Sequence, residues 1–213
     1  MGTVASLPKA SARGEQTRRR ILEVAQDAIL AKGFDATSIE EIVAAAEITR
    51  SGFFYHFRDK NELARALLEA NIELDRQILT DVFRRGHELS DDPLHAFLIG
   101  LKLFAELMDD LPNGHPGCIV TTVCYQQRLF DREVRALNRQ AVLNWRAHFL
   151  AELEAVAEAY PPRQPVDLVA LADLLSTTVE GGIVMSKALG EPRLLGKQIM
   201  LQRGYIKLLF CPD

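Results

Sequence analysis

Thr37-Ser38-Ile39-Glu40-Glu41-Ile42-Val43-Ala44-Ala45-Ala46-Glu47-Ile48-Thr49-Arg50-Ser51-Gly52-Phe53-Phe54-Tyr55-His56-Phe57-Arg58-Asp59-Lys60-Asn61-Glu62-Leu63 is the stretch whose reading decides the fold of this chain. Ile39, Ile42, Val43 and Ala46 recur on one helix face, and Thr37 with Glu40 three residues later has the form of a capping box. A short helix ending near Ala46 or Glu47 is predicted. A second short helix follows from about Thr49 to Phe57, with Phe53, Phe54 and Phe57 as its bulky positions. Two short helices joined by a tight turn and packed on a preceding helix form a helix-turn-helix. The second helix of such a unit enters the DNA major groove. Thr49, Arg50, Ser51 and Gly52 open it, and they are small or basic. Arg50 has the fork geometry to read guanine or clamp a phosphate. Tyr55 and His56 lie one turn later, within reach of the sugar-phosphate backbone.

Upstream, Ile21, Leu22, Ala25, Ala28 and Ile29 predict a helix from about Glu15 that stops at Lys32-Gly33, with Phe34 closing the turn. Residues 1–14, rich in Ala, Ser, Gly and Pro, read as a flexible basic arm. In the first twenty residues Lys9, Arg13, Arg18, Arg19 and Arg20 face Glu15 alone, although the chain carries a net charge of −4. Such asymmetry fits an end that meets a polyanion, and equally a solvated basic tail. The arginines carry phosphate contact and a plain solvated helix face as equal readings.

The quoted stretch resembles the TetR family of transcriptional repressors, whose pattern runs T-x-x-x-I-A-x-x-A-G-V-S-x-G-x-x-Y-x-H-F-x-x-K-x-x-L. The match is dense over residues 15–65. It departs at Glu47, where the family carries a turn glycine, and at Phe54, which replaces the first of two tyrosines. The resemblance implies that Thr37 or Ser38, together with Lys60, touch phosphates, that Arg50 and Ser51 face base edges, and that Tyr55 and His56 face the backbone. His56 is also read as a group bonded only within its own domain.

The remaining sequence predicts helices at about Lys60–Arg85, Leu94–Met108, Cys118–Arg128, Glu133–Tyr160, Asp167–Leu189 and Arg193–Phe210, with no period-two alternation. The expected fold is all-α, with about nine helices. A helix-turn-helix domain at residues 15–60 is followed by an effector-binding and dimerisation domain at 61–213. Leu171, Leu174, Leu175, Thr178, Val179, Gly182, Ile183 and Met185 line one of the last two helices. Leu194, Ile199, Tyr205, Leu208 and Leu209 line the other. They suit a homodimer interface across about 167–210, or an internal hairpin. Glu180-Gly181 resembles a pair found in the penultimate helix of TetR-like dimers. Phe97, Leu101, Phe104, Met108, Cys118, Tyr125, Trp145 and Phe149 are the candidate lining of an apolar effector pocket, each also readable as plain core.

Cys118 follows Pro116-Gly117 at a predicted helix start, where a thiolate is favoured. This Gly-Cys resembles a TetR subgroup, with the pair at the start of the sixth helix, that includes repressors of electrophile-detoxifying reductases and of acrylate metabolism. The resemblance implies sensing of an electrophile or a small unsaturated acid; the alternative is a buried structural cysteine. An effector between helices of the larger domain is expected to tilt the fourth helix and spoil the spacing of the two reading heads.

No apolar run approaches the roughly 20 residues of a membrane span, and no secretory signal opens the chain, so a cytoplasmic protein without membrane contact is expected. Three cysteines without a CxxC pair predict no disulfide framework and no metal site. The expected partners are double-stranded operator DNA and a small-molecule effector, with no cofactor. A helical enzyme or carrier using the central apolar pocket is the alternative, though no metal pair, nucleotide loop or triad supports catalysis.

Overall fold

In a computed structural model the described residues are 12–211. Most of the expected arm, including Lys9, therefore lies outside the described residues. Among the described residues there are nine α-helices and no strand. They are α1 (Ala12–Ala36), α2 (Ile39–Ala45), α3 (Arg50–His56), α4 (Lys60–Leu89), α5 (Pro93–Asp109), α6 (Ile119–Tyr125), α7 (Arg132–Ala159), α8 (Leu168–Leu189) and α9 (Leu194–Phe210). A single 3-10 turn, Gln127–Leu129, follows α6. The all-α expectation holds.

Capping residues set most of the helix starts. Ser38, Thr49, Asp59, Asp92, Asp131 and Asp167 each accept a backbone N–H from the first turn of α2, α3, α4, α5, α7 and α8. Each satisfies a donor that the helix itself leaves orphaned. The box at the start of α2 is displaced by one residue from the Thr37–Glu40 pair. Ser38 accepts from the Glu41 N–H at 3.1 Å, and the Glu41 carboxylate is bonded back to the Ser38 backbone. Thr37 is instead buried, its hydroxyl donating to the Gly33 carbonyl at 2.8 Å.

Two apolar clusters fill the interior. One gathers Ile21, Ile29, Phe34, Ile42, Phe53, Phe57, Leu63 and Leu67, and it reaches Ile119, Val120 and Val123 of α6 and Phe130 beyond it. The other joins Phe83, Phe97, Leu101, Phe149, Leu153, Leu175 and Ile206 from α4, α5, α7, α8 and α9. The packing of the N-terminal helices thus runs past residue 60 into α4 and α6. Cys118 packs against both clusters.

α8 corrects one expectation: it is long and apolar enough, by length and composition, to cross a membrane. Its apolar residues divide between two faces. Leu171, Leu175, Gly182 and Ile183 are buried within the chain, whereas Leu174, Val184 and Met185 are exposed. On α9, Ile199 and Leu209 are buried while Leu201, Tyr205 and Leu208 are exposed. Periodicity alone merged these faces, because both are apolar. The glycine pair divides in the same way: a Cβ on Gly182 would meet Leu195 Cδ1 at 2.7 Å, but above Gly181 nothing lies within 4 Å.

The turn between α2 and α3 keeps its left-handed residue without a glycine. Glu47 has φ +52°, and its carboxylate pairs with Arg20 at 2.7 Å. A side chain in this conformation costs about 1 kcal/mol or more. The bridge is exposed on both sides and worth less than that. Glu47→Gly is therefore expected to raise the melting temperature by about 2–4 °C, read by circular dichroism; a fall would mean that the Arg20 bridge outweighs the backbone cost.

Candidate DNA-reading face and effector cavity

The reading face is the exposed side of α3 and its approaches. Thr49 caps α3, its hydroxyl 3.0 Å from the Gly52 N–H and 3.0 Å from Ser51 Oγ. A Cβ on Gly52 would lie 3.3 Å from that hydroxyl, so the position is held small. Arg50 is exposed, but it is tied to Glu40 of α2 at 2.7 Å and lies over the Phe54 ring. Tyr55 is 83% exposed and meets His56 edge-on. His56 is half-buried, and desolvation followed by the Arg18 charge lowers its pKa. Arg18 stacks over Phe57 at 5.1 Å, which brings one arginine of the basic cluster to the base of this face.

Two of the expected phosphate contacts have other work. Thr37 is enclosed, so Ser38 is the exposed member of that pair. The Lys60 ammonium donates to the Phe34 carbonyl and, at 2.7 Å, to the Thr37 carbonyl. Burial lowers its pKa. Lys60 thus binds the α1–α2 corner to the start of α4.

That corner is also gripped from α6. The chain breaks direction at Gly33, with φ +86°, and the Phe34 N–H donates to Gln126 Oε1 at 2.8 Å. The Phe34 ring meets Phe130 edge-on at 4.8 Å. Gln126 is the C-cap of α6, and Cys118 is its N-cap.

Cys118 lies in the wall of a small cavity of about 70 Å³, partly open to solvent, between α4, α5, α7 and α8. Phe104, Met108, Trp145 and Phe149 line it with Cys118, as expected. Phe97 and Leu101 do not: both are enclosed in the core, Phe97 stacked on Phe83. Tyr125 does not either. It is 85% exposed, because it projects outward from the end of α6. Sequence reasoning missed the polar side of the cavity, formed by Asn71, Asp75, His115, Ser176 and Glu180. The available signal was a carboxylate on the inward face of an otherwise apolar helix. Glu180 was read with the dimer glycines, yet it turns inward and accepts the Thr121 hydroxyl at 2.6 Å.

The electrostatics favour the buried structural cysteine of the two readings of Cys118. Burial pushes the Cys118 thiol up to about 12, with the Glu180 charge adding to the shift, and the Thr121 N–H opposes this only weakly. The short α6 does not offset a desolvated site beside a carboxylate. Cys118 is therefore a protonated thiol and not a thiolate. Asp75 is raised to about 6, chiefly by burial, although its Oδ2 accepts from Trp145 Nε1 at 3.0 Å and Asn71 Nδ2 at 2.7 Å.

An acid whose folded pKa lies above its unfolded value stabilises the fold only while protonated. That contribution is lost as pH rises through about 6. Asp75→Asn removes the cost of the ionised form. It should stabilise the protein by up to about 3 kcal/mol at about pH 8, and by much less near about pH 4.5. Melting curves across that range test this; a gain independent of pH would contradict it.

Comparison with known proteins agrees with this geometry. Residues 21–67 match the family model of bacterial regulatory proteins of the tetR family. The transcriptional regulator AcuR of Cereibacter sphaeroides is 23% identical over 186 residues, 84% of this chain and 80% of AcuR. The HTH-type transcriptional regulator TtgR of Pseudomonas putida is 33% identical over 99 residues, 45% of each chain. Among solved structures, a TetR-family regulator from Agrobacterium tumefaciens superposes with a TM-score of 0.75 at 18% identity, covering 93% of this chain and 100% of that one. The reduced form of E. coli NemR superposes with a TM-score of 0.74 at 17% identity, covering 93% and 98%. Residues 21–67 thus carry a DNA-reading domain of the tetR type on a chain with this all-helical fold, and the protein is a DNA-binding transcriptional regulator.

Proposed function

We propose that the protein is a homodimeric, cytoplasmic repressor that leaves its operator when a small molecule enters the cavity between α4, α5, α7 and α8. The observation that carries this reading is the position of α6. One end forms the cavity wall at Cys118, and the other holds the Phe34 N–H through Gln126. α4 spans the same distance, from Lys60 at the corner to Asn71, Asp75, Ile78 and Leu79 in the cavity. A ligand that displaces either helix moves the reading head, provided it prefers the displaced state.

In this reading Ser38, Thr49, Arg50, Ser51, Gly52, Tyr55 and His56 meet DNA. Thr37 and Lys60 hold the frame that presents them. Arg50 exchanges its Glu40 partner for a base or a phosphate. The exposed apolar stripe of α8 and α9, with Leu174, Val184, Met185, Leu201, Tyr205 and Leu208, is covered by a second copy. The open space above Gly181 lets the two copies approach closely. Two reading heads then lie about one DNA turn apart, as palindromic half-sites require.

Membership of the Gly-Cys subgroup is supported by Gly117-Cys118 standing at the start of the sixth helix. The protonated, enclosed thiol argues for a packing role and against covalent attack. Cys118→Ser is expected to keep its ligand response, and loss of that response alone would restore covalent sensing.

The experiment is fluorescence anisotropy with the palindrome upstream of the protein's own gene against random DNA. Specific binding should exceed non-specific binding by about a thousandfold or more, and Arg50→Ala should cost about tenfold or more. Leu201→Glu with Leu208→Glu should give a monomer by light scattering that no longer holds the operator. A monomeric wild type, or equal affinity for random DNA, would overturn the reading.

A further inference from the structure

The cavity described above has a sign as well as a size. Its wall carries two carboxylates, Asp75 and Glu180, close enough that the charge of Glu180 raises Asp75. Among the described residues that line it there is no lysine or arginine. His115 is its remaining basic group, and burial lowers that pKa and disfavours the charged imidazolium. Lys187 stands outside the lining, its ammonium held by the Pro116 carbonyl at 2.6 Å.

The hydrogen bonding of the two acids is incomplete. Glu180 Oε2 accepts the Thr121 hydroxyl and the Cys118 thiol is bonded to the same carboxylate, while Glu180 Oε1 is enclosed without a nitrogen or oxygen donor. Ser176 Oγ, one turn earlier on α8, is enclosed and unpartnered as well. On Asp75 both donors converge on Oδ2. A buried acceptor without a donor costs on the order of 1–3 kcal/mol, and more when charged. Both unpartnered atoms belong to residues of the cavity wall, so a donor carried by a ligand recovers that cost.

The rest of the lining is largely aromatic and apolar, with Phe104, Phe149, Met108 and Trp145, whose Nε1 donates to Asp75. Aromatic faces attract cations and bury hydrocarbon. An anion would instead meet two like charges, with the Lys187 ammonium outside the lining and held by the Pro116 carbonyl.

We infer that the cavity takes a lipophilic organic cation, its ammonium seated between Asp75 and Glu180 and its hydrocarbon or aromatic body against Phe104, Trp145 and Phe149. This departs from the unsaturated acid that the Gly-Cys pair suggests. Glu180 and Asp75 select for charge, Glu180 Oε1 and Ser176 Oγ accept N–H donors, and the aromatic wall sets the shape. The inference rests on the regulatory reading only for its biological consequence.

Trp145 is the only tryptophan of the chain and lines the cavity, so its fluorescence reports occupancy directly. The full-length protein is titrated with phenethylammonium, with phenethyl alcohol as the neutral match and hydrocinnamate as the anionic one. The ammonium should give a saturable change and bind at least about tenfold more tightly than either match. Glu180→Gln and Asp75→Asn, each with an intact melting transition, should weaken the ammonium by about tenfold and leave the alcohol unchanged. No saturable effect of the ammonium, or hydrocinnamate binding as tightly, overturns the inference; so does full ammonium affinity in both folded variants. Operator anisotropy on the same samples separates the two readings. Cavity binding without operator release overturns the regulatory role and leaves the cation site standing. Operator binding with no response of Trp145 to the cation does the reverse.

Discussion

The structure depends on the corner between α1 and α2, where four helices meet on five consecutive residues. Gly33 turns the chain with a positive φ, and its carbonyl takes the Thr37 hydroxyl. The Phe34 N–H goes to Gln126 of α6, and the Phe34 and Thr37 carbonyls both accept Lys60 of α4. The Phe34 ring is then closed between the N-terminal core and Phe130. Backbone groups that would otherwise be buried without partners are satisfied by side chains from the larger part of the chain. The reading head is therefore no independent domain on a hinge. Its position is fixed by α4, which lines the cavity, and by α6, whose N-cap Cys118 lies in the cavity wall.

This explains why two residues that resemble DNA contacts are spent internally. Lys60 and Thr37 lie at the edge of the reading face, but they build the corner that presents it. The residues left facing outward are small, hydroxylated or loosely tied: Thr49, Ser51, Tyr55, and Arg50 on an exposed bridge to Glu40. Exposed bridges are weak, so in the proposed DNA-bound state Arg50 gives this one up at little cost. Glu47 shows the same economy. The left-handed turn survives without glycine, held by the Glu47 N–H on the Ala44 carbonyl and the Ile48 N–H on the Val43 carbonyl.

Much of this was legible in the residues themselves. The spacing of Ile39, Ile42, Phe53 and Phe57 places the helices correctly within a few residues, although the cap of α2 is Ser38 and not Thr37. The cavity was legible only on its apolar side. Phe104, Met108, Trp145 and Phe149 line it, but so would Phe97 and Leu101 by spacing alone, and these close the core instead. A helix face seen in sequence does not say which of its neighbours leaves a gap. The polar wall was missed because Asp75 and Glu180 come from helices distant in sequence, and only packing brings them together. For Cys118 the helix start was visible and two readings stood open; the burial and the carboxylate that favour the structural one were not visible.

If α6 carries the state of the cavity to the corner, Gln126 is the link to break. The direct measurement is operator affinity of Gln126→Ala beside its melting temperature. Losing the Phe34 partner should cost about 1–3 kcal/mol of local stability, lowering the melting temperature by a few degrees. Freed from α6, the reading head should lose about tenfold or more in operator affinity. Unchanged operator affinity in a variant that melts a few degrees lower would contradict the account.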